Sequence, residues 1–273
     1  MSEDAVPTDR AGVFLALHGG SSPLLLANAW DVGTAKVLAH LGFLALATTS
    51  AGHAAVLGRP DGQVTRDEAL VHATELAAAT ALPLNADLEN GFADDPDEVA
   101  RTYRLAAGTG IAGCSIEDYD PVADTIYDLG LARERVAAAA DAAHTGPRQM
   151  VLTARCEHHI RGVANLDATI VRLQSYQEAG ADVLYAPGLT EADDIARVVS
   201  SVDRPVNVLA LPCVPDVAEL GRLGVARVSV GSGFSLAAMG GLVDAARELL
   251  DQGTYNFWGQ ASRGGTTRRS FDR

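Results

Sequence analysis

MVLTARCEHHIRGVANLDATIVRLQSYQEAGADVLYAP, residues 150–187, is the stretch whose reading decides the fold. MVLTAR (150–155) is a short apolar run of β character. LDATIVRLQSYQEAG (166–180) follows at helical period and stops at Gly180, and DVLYAP (182–187) opens a second apolar run. A strand, a helix and a strand in this order imply parallel strands joined by a right-handed crossover.

The same unit recurs on both sides. LLLAN (24–28), LALATT (44–49), PLNAD (83–87), AGCSIED (112–118), PVNVLA (205–210) and ARVSVG (226–231) bring the candidate strands to eight, with helical segments such as RDEALVHATELAAAT (66–80) between them. Eight such units close into a (β/α)8 barrel or form an open doubly wound sheet, and periodicity does not choose between the two. No G-x-G-x-x-G follows the first strand, which weakens the dinucleotide-binding version of the open sheet. GSGF (231–234) is a short glycine turn after the last strand. The reading is an α/β chain folded as a single-domain (β/α)8 TIM barrel over 11–255. A flexible tail is expected at 1–10 and another at 256–273, where SRGGTTRRS (262–270) is basic and small.

Composition narrows the function classes. A formal net charge of −14 repels nucleic acid and anionic membranes, so neither is an expected partner. Cys114, Cys156 and Cys213 are far apart, which argues against disulfides and zinc spacing and suits a cytoplasmic location. The opening MSEDAVPTDR does not read as a signal peptide, and no apolar run reaches membrane-spanning length.

In a barrel of this kind, chemistry gathers at the C-terminal strand ends. Asp87 and Glu89 close the third candidate strand, Glu117 and Asp118 the fourth and Arg155 the fifth, with a Ser50-Ala51-Gly52 turn at the second. Four carboxylates around one mouth repel one another, and a hard divalent cation resolves the repulsion. Each acid alone reads equally as a helix cap or a partner for arginine. The Ser50–Gly52 turn offers backbone N–H groups to an enolate oxygen or a carboxylate, while its small residues also suit close packing.

NAWDVGTAKVL (28–38), TTSAG (48–52), GRPDGQVTRDE (58–68), NADLENGF (85–92), GCSIED (113–118) and TAR (153–155) together resemble the isocitrate lyase and phosphoenolpyruvate mutase superfamily. Weaker similarity continues through AGADVLYAP (179–187) and PVNVLALP (205–212). The resemblance implies a (β/α)8 barrel, a homo-oligomer (dimer or tetramer) whose last helix, LAAMGGLVDAARELLDQG (236–253), is either exchanged between subunits or packed on its own barrel, and Mg2+, with Mn2+ as a substitute, at a site for a small 2-oxo acid or its enolate. By the same resemblance Asp61, Asp87 and Glu117 form the acidic cluster, Arg155 grips the substrate, Ser50, Ala51 and Gly52 form the oxyanion turn, and Asn207 lies near the substrate carboxylate. Asn28, Trp30 and Asp31 support the first strand end.

Two departures qualify this. Asn85 stands where many relatives carry a metal-binding Asp, leaving Asp87, Glu117 and Glu89 to complete the metal set. The cysteine loop of the lyases is replaced by YDPVADTIYDLG (119–130), without a cysteine; Cys114 reads as a core thiol. His158 is a candidate proton-transfer group near neutral pH, His159 reads as a surface residue, and Tyr127 is a further candidate donor. The expected activity is carbon–carbon cleavage of a small 2-oxo or 2-hydroxy acid through an enolate, by a lyase or an oxaloacetate-type decarboxylase or hydrolase. The alternatives are carbon–phosphorus chemistry of the phosphonopyruvate type, and a 2-oxo-acid-binding protein with little catalysis.

Overall fold

A computed structural model describes residues 9–146 and 148–271. All eight candidate strands form: β1 (Leu24–Asn28), β2 (Ala45–Ala47), β3 (Leu84–Asp87), β4 (Gly113–Glu117), β5 (Val151–Arg155), β6 (Val183–Tyr185), β7 (Val206–Leu209) and β8 (Arg227–Ser229). Each pairs in parallel with its neighbour in sequence, and β1 pairs with β8 to close the barrel. The helices between the strands cover the outer face of the barrel and the barrel's own interior covers the inner face, so the strands read as largely apolar runs.

Strand parity sorts the side chains. Asn85 and Asp87, Gly113 and Ser115, Thr153 and Arg155, Asn207, and Arg227 and Ser229 all face the barrel interior, where they join one another or line its cavity. The alternate residues, such as Ala86, Cys114, Ile116, Leu152, Ala154 and Val208, pack outward on the helices in the main core. Cys114 is buried there with a free thiol, as its apolar company indicates.

The N-terminal end of the barrel is stoppered. Asp9 caps the first helix (Arg10–Ala16) by accepting from the Gly12 N–H, and that helix drives Phe14 into an inner cluster with Leu24, Leu26, Ala45, Ala47, Val151 and Val183. Asp9 and Arg10 therefore belong to an ordered element, and the remainder of the expected 1–10 tail lies outside the described residues. Asp31 caps the helix Val32–His40 through a reciprocal capping box with Thr34.

The C-terminal reading needs correction. The segment expected to be a tail holds a helix, Trp258–Gly265, and a 3-10 turn, Thr266–Phe271, which packs against Val32–His40 and buries Ser270. Its Gly, Ser and Thr content suggested flexibility, but tertiary packing and helical bonding outweigh weak local propensity. The longest helix, Gly233–Gln252, ends at Gly253 in the left-handed region at φ 64° and buries none of its residues. Among the described residues no helix is long and apolar enough to cross a membrane.

Candidate active site

The C-terminal strand ends surround a cavity of about 300 Å3 lined largely by polar side chains. Its centre is Arg155, at the end of β5. The guanidinium reaches Asp87 Oδ1 at 3.2 Å, Glu117 Oε2 at 3.1 Å and Glu157 Oε1 at 2.9 Å, and stands 5.4 Å from the Tyr185 ring centre. Register explains the convergence: Glu117 pairs directly with Arg155 across β4 and β5, while Asp87 pairs with Ser115, which bonds back to Asp87 Oδ1 at 3.3 Å.

Three carboxylates surround the Arg155 guanidinium, and one of them, Glu157, also stands 3.6 Å from Arg161, which lines the cavity as well. Burial alone would lower the Arg155 pKa, but Glu157, Glu117 and Asp87 outweigh it and hold the group firmly charged. Burial also pushes the Glu117 carboxyl well above its ordinary range, and the neighbouring carboxylates add to the rise against the pull of Arg155. Glu89 is pushed up to about 8, chiefly by burial and then by the charges of Asp87 and Asp61.

The remaining expected residues fall at different depths. Ser50 and Ala51 line the cavity, and the Ser50 N–H donates to Asp87 Oδ2 at 3.1 Å. Gly52 lies behind them with its N–H given to the Thr49 hydroxyl. A Cβ on Gly52 would sit 2.6 Å from the Thr49 methyl and 3.0 Å from Trp30 Cβ, so close packing requires glycine there. Asp61 reaches the rim from an exposed loop. Asn207 sits deep in the cavity, donating to Ser229 Oγ at 2.9 Å. Asn85 is deeper than Asp87, and its buried Oδ1 has no hydrogen-bond partner among the described residues.

Glu89 and His158 are not brought to this cavity. Glu89, at φ 48°, turns out of the extended run into a small adjoining chamber with His53 and His72. His158 packs its Nδ1 against the Thr169 hydroxyl at 3.2 Å, and burial lowers its pKa. The pleat explains the exchange: Arg155 and Glu157 point inward, whereas Cys156 and His158 point away. Tyr127 is occupied in a structural cluster, bonding Asp94 at 2.5 Å and Asn90 at 3.1 Å under the Arg135 guanidinium. Asp118 likewise braces the fold, accepting from the Glu157 N–H, Arg172 and Tyr176.

Sequence reading missed Glu157, Tyr185, Thr153, Ser229 and Arg227, all of which line the cavity. Arg227 offered a signal, since an arginine inside an apolar β run is seldom buried without a purpose.

The geometry agrees with the comparisons. The phosphoenolpyruvate phosphomutase family profile matches residues 14–250. An uncharacterised protein of Mycobacterium tuberculosis (strain ATCC 25618 / H37Rv) is 34% identical over 239 residues, covering 87% of this chain and 89% of the relative. An oxaloacetate decarboxylase of Pseudomonas entomophila (strain L48) is 28% identical over 250 residues, covering 88% and 84%. A crystal structure from Burkholderia cenocepacia J2315, of a protein carrying only a general lyase/mutase description, superposes with a TM-score of 0.94 at 48% identity over 98% of both chains. With its closed eight-stranded barrel and a family match over most of its length, the chain belongs to the phosphoenolpyruvate phosphomutase family and is an enzyme of the phosphoenolpyruvate mutase and isocitrate lyase superfamily.

Proposed function

We propose that this enzyme cleaves a carbon–carbon bond in a small 2-oxo or 2-hydroxy acid, in the manner of an oxaloacetate decarboxylase. The observation that carries the reading is Arg155 held among Asp87, Glu117 and Glu157 in a small polar cavity at the C-terminal strand ends. The relatives named oxaloacetate decarboxylase support it at the level of reaction kind.

The donor set fits a hard divalent ion such as Mg2+. Asp87 and Glu117 would supply oxygen ligands, and Asn85 would add a buried amide oxygen that has no hydrogen-bond partner among the described residues. No group of three or more His, Cys, Asp or Glu side chains is arranged as a complete cage among the described residues. An open site with one or two protein carboxylates and several waters is the usual Mg2+ arrangement. When bound, the ion supplies Lewis-acid stabilisation of a developing oxyanion.

The chain's own residues do the rest. Breaking the bond at carbon 3 of a 2-oxo acid leaves an electron pair that spreads onto the carbonyl oxygen, and positive charge fixed near that oxygen lowers the barrier. Arg155 is positioned for this by three carboxylates that fix its orientation. Ser50 and Ala51 wall the cavity on the β2 side, and Tyr185 covers the arginine from β6. The homo-oligomer belongs to the same proposal. Leu236 at 66% and Leu250 at 82% exposure, with Met239, Leu242, Val243 and Leu249, give the helix Gly233–Gln252 apolar surface that a second copy of the chain would cover.

The test is turnover of oxaloacetate and of phosphonopyruvate with and without Mg2+. Metal-dependent decarboxylation of oxaloacetate, lost in Glu117→Gln, is the expected result. Turnover of phosphonopyruvate alone would contradict carbon–carbon cleavage.

A further inference from the structure

The barrel interior holds a second arginine that the account of Arg155 does not use. Arg227, at the start of β8, is 2% exposed yet lines the floor of the same cavity. Its partners are neutral: Nε donates to Asn207 Oδ1 at 2.9 Å, Nη2 donates to the Thr153 hydroxyl at 3.1 Å, and Nη1 lies 3.2 Å from His18 Nε2. His18 is held neutral, its pKa lowered to about 4 by burial first and by Arg227 next. No carboxylate forms an ion pair with Arg227 among the described residues. Burial lowers its own pKa to about 10, which leaves it charged at neutral pH.

A buried cation without an anion is costly, and such groups are normally paired. The contrast with Arg155 is informative. The mouth arginine is answered by three carboxylates. The floor arginine is answered by none. A guanidinium has five N–H donors, and three are engaged here among the described residues. The Thr153 and Ser229 hydroxyls and the Asn207 amide N–H can donate to a carboxylate, and Asn207 is itself fixed by donating to Ser229 Oγ.

We propose that the cavity floor is an anion subsite in which Arg227, with Thr153, Asn207 and Ser229, receives a second carboxylate of the substrate, so that the acid bound is a short dicarboxylate. This rests on the reading of the cavity as a site for a 2-oxo or 2-hydroxy acid and adds the far end of the molecule to it. The floor carboxylate then supplies the counter-charge that the fold withholds from Arg227, and an acid with one carboxylate leaves that charge unmet.

Lactate and malate differ by one carboxylate and serve as probes. Calorimetric titration with Mg2+ present should show malate binding at least about tenfold more tightly than lactate, the worth of one charge-assisted bond. Arg227→Met should bring the two acids to within about twofold of each other, by removing malate affinity and leaving lactate affinity in place. Equal affinities in the unaltered enzyme, or a malate preference that survives Arg227→Met, would overturn the floor subsite alone. Failure of both acids to bind would overturn the acid-binding reading and the subsite with it. If Arg227→Met does not fold, thermal unfolding of the unaltered enzyme decides: malate must raise Tm more than lactate at matched ionic strength, and equal shifts overturn the subsite.

Discussion

Gly52 and His18 show how single residues set the site's limits. Alanine at position 52 would force its Cβ against Trp30 and against the methyl of Thr49, the residue that caps the helix beginning at Ser50. Overpacking of this kind costs about 1–3 kcal/mol. Gly52→Ala is therefore expected to lower the midpoint of urea unfolding and to impair catalysis together, since the turn cannot relax without moving Ser50 off Asp87. His18 carries a pH signature. Its folded pKa is depressed to about 4, so the unfolded chain takes up a proton first as pH falls. The stability contributed by neutral His18 is present above pH 6.5 and is lost as pH drops towards 4, by at most roughly 3 kcal/mol. Unfolding measured across that window should be flatter for His18→Gln than for the unaltered protein. Arg227 stood out in the sequence as an arginine within an apolar run, but its inward direction was not legible: a strand buried on both faces shows no alternation, so the direction of one side chain is not written in its pattern. His158 was displaced for a related reason, since one step along the pleat separates a residue facing the cavity from one facing the helices.

At the scale of elements, the eight strands were legible because parallel buried strands are short apolar runs and their helices carry clear stop signals, Gly180 among them. The segment after Gly253 was not legible. Its small residues carry weak local preference, and its order comes from contact with Val32–His40, a long-range effect that composition does not report. The helix Gly233–Gln252 is the reverse case, well formed and yet without a buried residue. Its apolar residues at 236, 239, 243 and 250 recur at helical spacing. Leu236→Asp combined with Leu242→Asp should lower the mass measured by light scattering from that of an oligomer to that of a single chain. An unchanged mass would show that this face is not the interface.

For the whole molecule, the barrel assigns opposite jobs to its two ends. The N-terminal end is sealed by Phe14 and the inner apolar cluster, which confines water and ligand to the C-terminal mouth. The strand ends then gather acid around Arg155 within a chain whose net charge is already −14. Long-range attraction therefore does not bring an anionic acid to this enzyme; local charge at the site must retain it. That places the burden of the account on Arg155. The measurement that tests it most directly is calorimetric titration of the unaltered enzyme and of Arg155→Ala with pyruvate and oxaloacetate in the presence of Mg2+. The account predicts saturable binding that weakens by about a hundredfold or more in the variant, as for loss of a buried charged partner. Binding that is equally strong without Arg155, or absent from the unaltered enzyme with both acids, would contradict it.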